Sequence, residues 1–203
     1  MKLYYATGAC SLAPHIVLNE IGADYSLEKV DLGDKKTETG GNFLEVNAKG
    51  YVPTLEIAKD QILTEVSTIV QYLADKTEGA MKLPVFGSME RYRAMEMLNF
   101  VASELHKGIG GLFAKGMPEE GRKLIIERVS KRLSWVDDQL ATKPYLLGND
   151  FSVADAYAFT VMNWGQWVGL DIKPWKNIAA YMERVGARPG VQAALKKEGL
   201  LEA

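Results

Sequence analysis

The sequence predicts a small α/β unit over residues 1–80, followed by an all-helical region over residues 88–203. Three observations lead there. Up to residue 80, strand-like and helix-like runs succeed one another in the order βαβ and then ββα, the pattern of a mixed sheet with helices. Leu83-Pro84-Val85-Phe86-Gly87 then breaks the rhythm, and residues 81–87 read as an interdomain linker. Beyond it, apolar residues recur only at three- and four-residue spacing.

Leu3 to Ala6 is a short apolar strand run. Pro14 falls in the first turn of the next helix, where a missing N–H costs little. Val17, Leu18 and Ile21 give that helix its apolar side, and Gly22 can end it. Tyr25 to Leu32 alternates and reads as a second strand, whereas Gly33 to Gly41 is polar, glycine-rich and irregular. Thr54–Ala58 and Gln61–Thr64 flank Lys59-Asp60 at hairpin spacing. Glu65 to Glu78 is helical, which completes a mixed four-stranded sheet with its helices. In the second region Met95, Leu98, Ala102, Leu105, Ile109 and Leu112 form one long helix, and Ile126, Val129, Leu133, Val136 and Leu140 form the next. Lys143 to Asp150 breaks the pattern. Ser152-Val153-Ala154-Asp155 then opens a helix with a capping-box pair, continued through Tyr157, Thr160, Trp164 and Val168. Two shorter helices follow, around residues 178–186 and 191–197. The sequence holds no internal repeat and no low-complexity segment.

Bulk composition narrows the function. The formal net charge is -2, so there is no basic excess to neutralise phosphates, and nucleic acid is not expected as a partner. Hydrophobic residues make up 47% and charged residues 25%, as in ordinary globular proteins. No apolar run reaches the roughly 18 residues that cross a bilayer, so no membrane association is expected. The N-terminus enters a strand without a signal-peptide core. A lone cysteine excludes an intrachain disulfide, and a cytoplasmic location is expected.

Cys10 is that lone cysteine, between a strand and a helix start. Unpaired N–H groups and the positive end of the helix dipole favour a thiolate there. The alternative is a small buried hydrophobe. A dithiol exchanger would carry C-x-x-C, and this chain has Cys10-Ser11-Leu12-Ala13. Any thiol chemistry therefore takes its second sulfur from outside, which points toward glutathione. Gly50-Tyr51-Val52-Pro53-Thr54 precedes a strand. A cis Pro53 would leave the Val52 backbone open to an extended peptide ligand, and the alternative is a tight loop. In Thr64-Glu65-Val66-Ser67, a helix start offers N–H groups to a carboxylate while Glu65 offers an acceptor to an ammonium; an α-amino acid head carries both charges. Simple capping by Thr64 is the alternative. Asn99, Ser103 and His106 share a face at four- and three-residue spacing, with His106 either a general base or a packing histidine. His15 reads as structural. Two histidines and one cysteine make no metal cluster, so no metal is expected.

Taken together, the chain resembles the cytosolic glutathione S-transferases, most closely the bacterial beta class. The resemblance rests on Ala9-Cys10-Ser11-Leu12-Ala13, Lys49-Gly50-Tyr51-Val52-Pro53-Thr54-Leu55, Leu63-Thr64-Glu65, Ile69-Val70-Gln71-Tyr72-Leu73-Ala74-Asp75, Glu104-Leu105-His106-Lys107 and Ser152-Val153-Ala154-Asp155-Ala156-Tyr157. It implies a thioredoxin-like N-terminal domain that binds glutathione, an all-α C-terminal domain that forms the electrophile pocket, and a cytoplasmic homodimer. It implies that Cys10 contacts the glutathione sulfur and can form a mixed disulfide with it. Val52, beside a cis Pro53, would pair with the cysteinyl unit, Glu65 and the Val66 N–H would hold the γ-glutamyl head, and Lys35 would reach the glycyl carboxylate. Asn99, Ser103 and His106 would complete the site, some contacts coming from the neighbouring subunit, with His106 also a catalytic candidate. The family commonly has Ser or Gly where this chain has Val66; a backbone contact survives that change and a hydroxyl contact does not. Phe113, Trp164 and Trp167 are candidates for the wall of the electrophile pocket, expected between the domains; ordinary helix packing is the alternative. Ser152 and Asp155 match the family's helix-capping box, a folding element.

Conjugation of glutathione to a hydrophobic electrophile is the leading expectation. Glutaredoxin-like thiol-disulfide exchange and a noncatalytic ligand-binding module on the same fold are the alternatives, because fold does not fix function.

Overall fold

The computed structural model describes residues 1–79, 81 and 83–201. Residues 80 and 82, on which the expected domain boundary and part of the linker fall, lie outside the described residues, as do 202 and 203. The chain divides into two compact units, Met1–Lys82 with Pro189–Ala203, and Leu83–Arg188.

The first unit is built on a mixed sheet, five-stranded among the described residues, in the order β3-β2-β1-β4-β5. Its strands are β1 (Lys2–Tyr5), β2 (Ser26–Asp31), β3 (Lys36–Thr37), β4 (Thr54–Ala58) and β5 (Gln61–Thr64). β1 runs parallel to β2 and antiparallel to β4, with Leu3 opposite Leu27 on one side and Leu55 on the other. The expected four strands are all present. The fifth, β3, lies inside the glycine-rich stretch expected to be irregular, and two residues are too few to leave an alternating pattern. There Val30 pairs with Thr37, and the Thr37 hydroxyl accepts from the Gly41 N–H at 3.0 Å. The helices are α1 (Leu12–Glu20), the four-residue α2 (Phe43–Val46) and α3 (Val66–Asp75). Alternation along β1 separates Leu3, fully buried, from Tyr4, which packs in a second cluster with Val30, Phe43 and Val52.

The helix α10 (Pro189–Lys197) belongs to this first unit, where it packs against α1. The residue after it, Glu198, is buried. Its carboxylate meets His15 Nδ1 at 2.8 Å and accepts from the Gly8 N–H at 2.9 Å. The other His15 ring nitrogen lies 3.1 Å from the Tyr25 hydroxyl. His15 is fully buried, in keeping with its structural reading.

The second unit is helical: α4 (Met89–Phe100), a π-helical segment (Val101–His106), α5 (Lys107–Gly111), α6 (Glu119–Leu140), α7 (Val153–Asn163), α8 (Gly165–Val168) and α9 (Lys176–Gly186). The long helix expected across Met95 to Leu112 is thus interrupted by wider turns. A Cβ at Gly108 would stand 2.6 Å from Val129 Cγ2, so α5 and α6 approach too closely there for any side chain. The helix expected through Trp164 and Val168 ends earlier, at Asn163, and resumes as α8. The capping box of α7 forms. Among the described residues, four donors reach the buried Asp155 carboxylate: the Leu146 N–H at 2.8 Å, the Ser152 N–H at 2.9 Å, the Ser152 hydroxyl at 2.6 Å and the Tyr181 hydroxyl at 3.1 Å. Burial pushes the Asp155 carboxyl up, and these donors oppose it. Among the described residues no helix is long and apolar enough to cross a membrane.

Candidate functional site

The expected site residues fall into a cluster in each unit. In the first, Cys10 sits in the turn between β1 and α1. Ser11 closes that turn: its hydroxyl accepts from the Ala6 N–H at 3.2 Å and lies 3.3 Å from the Ala6 carbonyl. The thiol is half-buried. It donates to the Val52 carbonyl, with Sγ 3.3 Å from the oxygen. The Val52–Pro53 peptide is cis. Val52 itself is buried at 4% exposure, so its side chain anchors the segment while its backbone faces the thiol. The loop 47–54 is held by Asn47, whose amide donates to the Tyr51 carbonyl and to the Thr54 hydroxyl, both at 2.9 Å.

Lys35 adopts φ 59, and its carbonyl accepts from the Phe43 N–H. Its side-chain stem runs alongside Gly50: Lys35 Cε lies 3.5 Å from where a Gly50 Cβ would stand. That side chain therefore reaches the same loop that carries Val52.

Glu65 takes the N-cap position of α3 with φ 69 and ψ 124, a conformation that a non-glycine residue holds at a cost. The alternative of simple capping by Thr64 is not what forms. The Thr64 hydroxyl instead accepts from Lys49 Nζ at 2.9 Å. The unusual backbone of Glu65 turns its carboxylate onto the 47–54 loop, where Oε1 accepts from Lys49 Nζ at 2.8 Å and from the Tyr51 hydroxyl at 3.2 Å. The hydrogen bond to Glu65 holds the Lys49 ammonium above its ordinary range. Val66 follows as the first helical residue, buried at 5% exposure, so its side chain packs inward while its N–H lies at the helix start.

In the second unit, His106 ends the π-helical segment. Its Nδ1 lies 2.6 Å from the Tyr157 hydroxyl, and its ring stacks edge-on with Trp164 at 4.9 Å between centroids. Trp164, nearly buried, meets Phe113 edge-on at 5.9 Å. Phe113 and Trp167 are about half exposed, at 48% and 47%. Asn99 and Ser103 are exposed, and the Ser103 hydroxyl donates back to the Asn99 carbonyl at 2.9 Å. Asn99 and Ser103 thus keep the four-residue relation their spacing predicts, and His106, three residues further on, packs against Tyr157 and Trp164. Glu104, in the same segment, accepts from Arg132 Nε at 2.6 Å and from Arg128 at 3.3 Å. The Arg132 hydrogen bond holds its carboxyl below the usual range.

Sequence reasoning missed Lys49, Tyr51 and Asn47 as partners within the first cluster and Tyr157 as the partner of His106. The first three lay inside or beside the Gly50–Thr54 motif, where their polar side chains were the available signal. Tyr157 is 51 residues from His106, and no local spacing links the two.

Comparison with known proteins identifies the family. Family models match the chain over residues 7–76, described as the glutathione S-transferase N-terminal domain, and over residues 111–189, its C-terminal domain. Glutathione S-transferase GstA of Escherichia coli is 44% identical, over 98% of this chain and 100% of that protein. A sphingomonad glutathione S-transferase solved in complex with glutathione is 43% identical, covers 99% of this chain and 100% of its own, and superposes with a TM-score of 0.94. The bacterial beta-class glutathione S-transferase of Sphingomonas chungbukensis has the same identity, coverage and TM-score. With a mixed-sheet domain that carries Cys10, a helical domain that carries His106, and relatives alike along nearly their full length, the chain belongs to the glutathione S-transferase family of enzymes, with bacterial beta-class members among its near relatives.

Proposed function

We propose that the protein conjugates the glutathione thiol to hydrophobic electrophiles, with Cys10 beside the glutathione sulfur. The observation that carries this reading is the approach of the Cys10 thiol to the Val52 carbonyl, at 3.3 Å beside the cis Val52–Pro53 peptide. An extended ligand paired with the Val52 backbone brings its own side chain next to that thiol. In glutathione that side chain is the reacting cysteinyl thiol. Glu65 and the Val66 N–H, at the other end of the loop, take the γ-glutamyl ammonium and carboxylate, and Lys35 takes the glycyl carboxylate. Asn99, Ser103 and His106 are assigned as further glutathione contacts on the family resemblance. Phe113, Trp164 and Trp167 are assigned to the electrophile.

In the reaction the glutathione thiolate attacks the electrophilic carbon. A carbon–sulfur bond forms, the leaving group departs with the bonding pair, and the thiol proton passes to solvent. Cys10 contributes a hydrogen-bond donor to the sulfur anion. A cytoplasmic, detoxifying homodimer is the setting in which such chemistry fits.

The half-burial of Cys10 supports a second reading of the same site. A thiolate at Cys10 can attack one sulfur of oxidised glutathione. The disulfide breaks, one glutathione thiolate leaves, and a mixed disulfide remains on Cys10.

Initial rates with reduced glutathione and a chloronitroaromatic test the proposal. Glutathione-dependent release of chloride, saturable in both substrates, is expected. No turnover together with no glutathione binding by calorimetry overturns it.

A further inference from the structure

Glu65 is assigned above to the ammonium of a γ-glutamyl head, yet in this structure its carboxylate already holds a cation. Lys49 Nζ stands 2.8 Å from Glu65 Oε1 and 2.9 Å from the Thr64 hydroxyl. The two side chains are half exposed, at 48% and 56%. An ion pair in that setting contributes little to stability, and a lysine stem swings at small cost. An incoming ammonium therefore competes with a resident one. A head with an ammonium alone sets a second positive charge beside Lys49 Nζ on the same carboxylate, and the two cations repel. A head that carries an α-carboxylate on the same carbon brings its own partner for the lysine. Glu65 then meets the ligand's ammonium and Lys49 its carboxylate, so each charge added to the site has an opposite one beside it.

We infer that Lys49 is a specificity residue of the γ-glutamyl subsite, which binds the ligand's α-carboxylate and excludes ammonium ligands that lack one. The inference rests on the reading of the first unit as a glutathione site. It also fits the helix start: with Val66 at the first helical position there is no side-chain donor there, and Lys49 supplies the second donor for the carboxylate alongside the Val66 N–H. Tyr51, bonded to the same Glu65 oxygen, keeps the carboxylate in place while the lysine moves.

The test is a pair of ligands on a pair of proteins, read by calorimetry. The ligands are glutathione and 4-aminobutyryl-Cys-Gly, which keeps the ammonium and lacks the α-carboxylate. The proteins are wild type and Lys49→Met. Wild type is expected to prefer glutathione, and Lys49→Met to lower that preference ratio about tenfold, the size of one charge-assisted hydrogen bond. Lys49→Arg is expected to keep most of it. Because the readout is a ratio within one protein, a general loss of folded protein cancels. Wild type that binds glutathione while Lys49→Met keeps the same ratio overturns the assignment of Lys49 alone. Wild type that binds neither peptide overturns the glutathione reading of the unit, and this inference with it.

Discussion

At the scale of single residues, Glu65 displays the clearest conflict between stability and site. A non-glycine residue at φ 69 and ψ 124 costs on the order of 1–3 kcal/mol, and nothing in the fold of α3 requires a glutamate there. The conformation is what turns the carboxylate onto Lys49 and Tyr51. Glu65→Gly relieves the backbone and removes the acceptor. Its melting temperature is expected to stay level or rise, while the KM for glutathione rises at least about tenfold, the loss of one charge-assisted contact. A fall in stability with unchanged KM would mean the strained carboxylate serves the fold. Glu65 itself was legible from its place at a helix start. Its partners were not, because Lys49 lies 16 residues away and the contact depends on how the intervening hairpin folds back.

At the scale of elements, hydrophobic period and turn chemistry specified most of the secondary structure. The β4–β5 hairpin appears over the residues its spacing predicted, and α6 and α7 follow their apolar stripes. Four features escaped: α2, the break between α7 and α8, β3 and the π-helical segment. β3 is two residues long, below any periodicity. The π-helical segment replaces an α-helical stretch whose apolar pattern is ordinary; its anchors, Arg128 and Arg132 on Glu104, come from α6 and leave no local signature. The capping box was legible as a Ser-x-x-Asp pattern, but the convergence of Leu146 and Tyr181 on Asp155 was not. Those contacts set the size of the effect. Asp155→Ala strips the acceptor from three buried or half-buried partner residues at once, and is expected to cost about 3–5 kcal/mol in denaturant unfolding. A loss near 1 kcal/mol would reduce its role to an ordinary helix cap.

At the scale of the whole molecule, the two ends of the chain meet in one unit. Glu198, beyond α10, receives both His15 of α1 and the Gly8 N–H, two residues before Cys10. The sequence gives no hint of this closure, since 183 and 190 residues separate the partners. Glu198→Ala removes the buried carboxylate that His15 Nδ1 and the Gly8 N–H share. It is expected to destabilise the protein by about 3 kcal/mol and to lower its melting temperature; an unchanged melting curve would mean the C-terminal segment is not needed to hold the first unit. The loop so fixed is the one that carries the thiol on which the functional account rests. Its most direct test is the intact mass of the protein after incubation with oxidised glutathione, on wild type and on Cys10→Ala. The account predicts a single glutathione adduct on wild type, absent from Cys10→Ala and removed by reductant. A wild-type protein that stays unmodified would contradict a reactive Cys10 beside bound glutathione.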